Sequence, residues 1–94
     1  MTIDKKKVES ALLSKGFKLS HKDHRYFTYY SLNGKKSRIS TKTSHSPKEK
    51  SLGAARVGQM ARQCGLNAAE FADLIDCPMD RDAYERLLKQ RRLV

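Results

Sequence analysis

Residues 25–43, RYFTYYSLNGKKSRISTKT, decide the fold. Arg25 to Leu32 is rich in aromatic residues and threonine, side chains that fit a pleated, half-buried surface. Asn33-Gly34 is the strongest short hairpin signal, because a two-residue type I′ turn needs positive φ at both central positions. Residues 35–43 then make the return strand. Ile39 is its only large apolar side chain and lysines flank it, which marks a protected edge. Upstream, Phe17-Lys18-Leu19-Ser20 alternates apolar and polar as a short strand does, and residues 21–24 form the turn between the two. These stretches predict a three-stranded antiparallel sheet.

Helices are expected on both sides of this unit. In residues 4–15 the positions Val8, Ala11 and Leu12 share one face, Asp4 stands as N-cap, and Gly16 stands where a helix ends. After a polar loop broken by Pro47, residues 52–64 carry Val57, Met60, Ala61 and Cys64 on one stripe. Asn67 and Glu70 have capping-box spacing ahead of Phe71, Leu74 and Ile75. Cys77-Pro78 ends that helix, and Asp80 caps a fourth with Tyr84, Leu87 and Leu88 facing inward. The fold class is α+β, in the order α-β-β-β-α followed by two short helices. Residues 1–66 form the core unit, and residues 67–94 form a helical extension packed on the same domain.

The chain has 94 residues, 20 Lys or Arg and 10 Asp or Glu, for a net charge of +10. Residues 1–50 hold 13 basic and 4 acidic residues, a balance of +9, while residues 51–94 balance at +1. A field concentrated on the half that also carries the aromatic strand favours a polyanionic partner, most simply nucleic acid. No apolar run approaches the roughly 20 residues that cross a bilayer. The expectation is therefore a cytoplasmic protein with no membrane partner. Cys64 and Cys77 lack the spacing of a metal site and read as small buried residues. His21, His24 and His45 do not make a metal set with them either, so no metal or cofactor is expected.

Strand alternation assigns the surface of the sheet. Phe17, Leu19 and Ile39 face the helices, which leaves Lys18, Arg38, Ser40 and Lys42 outside. The aromatic strand has rings at both parities. If Phe27 and Tyr29 face inward, then His24, Tyr26, Thr28 and Tyr30 join the lysines on the open face. Cations and stackable rings on one surface are what unpaired RNA bases and phosphates bind.

Several of these stretches together resemble a known family. They are LeuLeuSerLysGlyPhe at 12–17, the polar turn ending in His24, the aromatic strand, the AsnGly hairpin, the loop with His45, and MetAlaArgGlnCysGlyLeuAsnAlaAlaGluPhe at 60–71. Over about residues 4–71 the chain resembles the HicA toxins of prokaryotic toxin–antitoxin pairs. That resemblance implies a fold like the double-stranded-RNA-binding domain. It also implies a metal-independent ribonuclease acting on messenger RNA, with His24 as its catalytic acid–base group. A HicB-type antitoxin would cover the site. The family often has Gly-Ser-His where this chain has Lys22-Asp23-His24, and it usually carries a proline shortly before a histidine at the exit of the third strand, where this chain reads Thr43-Ser44-His45 without that proline. A neutral imidazole can take the proton of a ribose 2′-hydroxyl, and nearby cations would balance the charge that develops at phosphorus. Lys22, Arg25 and Lys42 are candidates for that role, with Lys18, Tyr26, Arg38 and His45 as further RNA contacts. Two other readings stand beside this one: a non-catalytic RNA-binding module on the same fold, and a protein-interaction module with a basic face.

Overall fold

The computed structural model describes residues 2–76 and 78–94. It is an α+β structure in which four helices and a three-stranded antiparallel sheet form among the described residues. In chain order these are β1 (Ile3–Asp4), α1 (Lys5–Ser14), β2 (Phe17–His21), β3 (Arg25–Tyr30), β4 (Lys36–Thr43), β5 (Ser51–Leu52), α2 (Ala54–Gln63), α3 (Ala68–Asp76) and α4 (Arg81–Gln90). The sheet order is β2-β3-β4, so the aromatic strand is central and β4 is an edge.

The helix ends follow the expected chemistry. Asp4 accepts a bond from the Lys7 amide at 3.1 Å, and Asp80 does the same for Ala83 at 2.8 Å. Asn67 and Glu70 satisfy each other's backbone amides at 2.8 and 2.9 Å. Gly16 follows α1 with φ +99, and a side chain there would run into the guanidinium of Arg81. Leu52, expected at the start of a helix, instead forms β5, which pairs with β1 through Ile3↔Leu52 and Asp4↔Ser51. Two-residue strands carry no readable period, so the alternation rule has nothing to detect there.

The hairpin differs from the two-residue turn expected. Ser31 accepts from Gly34 at 2.8 Å and donates its own amide to Lys35 at 2.8 Å. Gly34 has φ +85, whereas Asn33 has no positive φ. The loop is thus Leu32-Asn33-Gly34, a turn followed by one left-handed glycine, the commonest three-residue alternative. The Asn33 side chain is spent on Ser31 and on the Lys35 amide at 3.2 Å.

All four helices lie on one face of the sheet. Phe27 and Tyr29 of β3 are 1% and 0% exposed, which resolves the parity of the aromatic strand: its even positions face outward. Phe17, Phe27, Tyr29, Phe71 and Tyr84 lie in one continuous core, so residues 67–94 share it with residues 1–66. Tyr84 packs with its ring centroid 5.9 Å from that of Phe17 and 5.1 Å from that of Tyr29. Its buried hydroxyl donates to the Cys64 carbonyl at 2.8 Å. Burial pushes the Cys64 thiol up to about 12, so it is an inert core group and not a nucleophile. Cys77 lies outside the described residues.

Candidate nucleic-acid interface

The outer face of the sheet is built by strand register. Tyr26 stands opposite Ser20 on one side and Lys42 on the other, and Thr28 stands opposite Lys18 and Ser40. Side chains directly across antiparallel strands share a face. Lys18, Tyr26, Thr28, Ser40 and Lys42 therefore form one surface patch, with Tyr30 beyond it. The Lys18 ammonium lies 4.2 Å from the centroid of the Tyr30 ring, a cation–π contact that holds both on this face.

His24 closes the patch at the β2–β3 end. Its side chain is 36% exposed, and its ring meets Tyr26 edge-on with centroids 6.3 Å apart. Its Nδ1 lies 3.2 Å from one carboxylate oxygen of Asp23, and the Tyr26 hydroxyl donates to the other at 3.0 Å. These two bonds, the Tyr26 hydroxyl's being the stronger influence, hold the Asp23 carboxyl below its usual range. The same bond pushes the Tyr26 hydroxyl upward. Asp23 is thus bonded to both His24 and Tyr26.

His45 and Arg25 lie elsewhere around this turn. The loop after β4 folds back, so that His45 Nε2 lies 3.2 Å from the Lys22 carbonyl and its ring stacks on His21 with centroids 6.0 Å apart. The Lys22 carbonyl can only accept, so His45 donates and braces the backbone just ahead of His24. Arg25 has the inward parity of β3. Its guanidinium is held by both oxygens of Glu9 at 3.1 Å, and Thr43 donates to the same carboxylate at 2.6 Å. Arg25 and His45 both line a cavity of about 440 Å³ whose walls include Lys5, Lys50 and Glu49. Arg38 is at the far end of the sheet, in a groove of about 830 Å³ between the hairpin and the end of α4. The structure thus puts Lys18, Tyr26 and Lys42 on one face, with His24 against Tyr26 and Lys22 in the adjoining turn, and sets Arg25 and Arg38 apart.

Glu9 and Asp23 were missed as partners by sequence reasoning. No local signal links Glu9 to a strand 16 residues on. Asp23 was visible only as a charge beside His24, although the spacing to Tyr26 was open to inspection. No protein-family model, no curated protein and no solved structure matches this chain.

Proposed function

We propose that this chain is a metal-independent endoribonuclease of the HicA toxin type, on a fold like the double-stranded-RNA-binding domain, with His24 as its catalytic acid–base group. One observation carries the reading. An accessible histidine sits at the head of an outward sheet face that carries Tyr26, Lys18 and Lys42, the cations and rings that RNA requires. A face of this kind needs no deep cleft, and the groove of about 830 Å³ lies at the other end of the sheet.

In the proposed reaction His24 takes the proton from a ribose 2′-hydroxyl. The 2′-oxygen forms a bond to the adjacent phosphorus as the bond to the 5′-oxygen breaks. The products are a 2′,3′-cyclic phosphate and, as the departing 5′-oxygen takes a proton from water, a 5′-hydroxyl end. Lys42 and Lys22 stand nearest in register and sequence to offset the charge that develops on the phosphoryl oxygens. A HicB-type antitoxin is the proposed protein partner, and messenger RNA the proposed substrate.

The test is cleavage of an RNA substrate in EDTA by wild type and by His24→Ala. The expected loss in the variant is at least about 100-fold, the lower range for a positioned general base. Wild-type cleavage that leaves 2′,3′-cyclic phosphate ends supports the reading. Equal cleavage by a folded His24→Ala protein removes His24 from the chemistry. Salt-sensitive RNA binding with no cleavage by either protein makes the chain an RNA-binding module instead.

A further inference from the structure

We infer that Asp23 is a positioning residue for His24: it fixes the imidazole as the tautomer with its proton on Nδ1, and so leaves Nε2 as the proton acceptor. The inference rests on the reading of His24 as the catalytic base. A carboxylate can only accept, so the 3.2 Å contact between Asp23 Oδ2 and His24 Nδ1 requires a proton on Nδ1. The Tyr26 hydroxyl donates to the other oxygen, Oδ1, at 3.0 Å and keeps the carboxylate from rotating away. Tyr26 in turn is held in the central strand between Ser20 and Lys42. The edge contact between the His24 and Tyr26 rings completes a three-membered loop of contacts. A histidine in water is not held to one tautomer, so a partner on one nitrogen decides which nitrogen is free to react.

The arrangement also explains how a negative charge can stand beside a site meant for phosphate. The carboxylate is turned to Nδ1 and to the tyrosine hydroxyl. Asp23 itself gains no proton. Two opposite expectations follow for Asp23→Asn. If Asp23 merely repels RNA, the variant cleaves faster. If Asp23 positions His24, kcat falls by about 10- to 100-fold, the usual cost of removing the outer partner of a working histidine. KM stays level or drops, because a negative charge has left the RNA face.

The decisive measurement is nitrogen-15 NMR of His24 in the full chain without RNA, for wild type, Asp23→Asn and Tyr26→Phe. The expected wild-type spectrum shows Nδ1 protonated and Nε2 bare. Asp23→Asn, whose amide can present either a donor or an acceptor, loses that preference, and Tyr26→Phe weakens it. A wild-type ring protonated on Nε2, or a spectrum unchanged by Asp23→Asn, overturns the inference. Because this readout needs no RNA, it separates two failures. A tautomer locked as described in a chain that cleaves no RNA supports the positioning and removes the ribonuclease reading. His24-dependent cleavage unaffected by Asp23→Asn keeps the ribonuclease reading and overturns the positioning.

Discussion

A single carboxylate, Glu85, ties the last helix to the sheet. Its side chain is 4% exposed, and it accepts from the Tyr29 hydroxyl at 2.5 Å and from the Leu32 amide at 2.8 Å, with the Lys89 ammonium at 3.6 Å. Burial works against its charge, yet these donors outweigh burial and hold the carboxyl below its usual range. Burial, reinforced by Glu85, pushes the Tyr29 hydroxyl up to about 12. Removing Glu85 leaves a buried hydroxyl and a backbone amide without their acceptor. Glu85→Ala is expected to cost about 1–3 kcal/mol, read as a lower urea midpoint at unchanged slope. The pH dependence has a definite sign. A carboxyl whose folded pKa is lowered adds stability above the unfolded value of about 4.3 and loses it as pH falls through the folded value. Wild type should therefore lose stability on acidification below about pH 4.3 more steeply than Glu85→Ala, as urea unfolding at a series of pH values would show.

At the scale of the element, the sheet is two surfaces with different tasks. Inward residues of β3 and β4 build the core, and Thr41 and Thr43, both almost fully buried, bond Gln63 at 2.7 Å and Glu9 at 2.6 Å to offset their burial. Outward residues carry charge and rings that no helix covers. If this face meets RNA, each phosphate-neutralising lysine adds about 0.7 to the slope of log affinity against log salt for a single strand. The double variant Lys18→Ala/Lys42→Ala is expected to bind single-stranded RNA more weakly and to flatten that slope by about 1.4, with the thermal midpoint little changed. Titrations at four salt concentrations would read it, and an unaltered slope would place the RNA elsewhere.

Across the whole molecule, the acidic segment 66–85 is largely taken up by structural bonds within the fold. Residues 66–85 hold six acidic residues and one basic. Among them Glu70 pairs with Arg91 at 2.7 Å, Asp76 bonds Lys7, Asp80 caps α4, and Glu85 is buried. Phe71, Leu74, Tyr84 and Leu88 are each 0% exposed within the common core. Truncation after Gly65 would strip the cover from Phe17 and Tyr29, and hydrophobic burial of that size decides whether a small chain folds. The fragment is expected to show no cooperative unfolding by circular dichroism. A folded fragment with raised RNA affinity would instead mean that these helices mask the basic face.

Local chemistry sufficed for much of this. The strands expected at 17–20, 25–32 and 35–43 and found at 17–21, 25–30 and 36–43, the caps Asp4, Asn67 and Asp80, the glycine after α1, and the edge position of β4 were all legible, because caps and alternation act over a few residues. The concentration of charge in the first 50 residues was legible too, since a field sums over the chain whatever its fold. Three things waited for the tertiary structure. The parity of RYFTYY could not be read, because both of its faces are aromatic, and the helices decided it by burying Phe27 and Tyr29. The loop over Leu32-Asn33-Gly34 depended on where Ser31 and Lys35 found their partners. The separation of His24 from Arg25, adjacent in sequence but turned to different neighbours, came from Glu9 reaching across from α1 to one while Asp23 and Tyr26 held the other. Burial and long-range pairing are properties of the packed chain, and a stretch with no unique alternation leaves the choice to them.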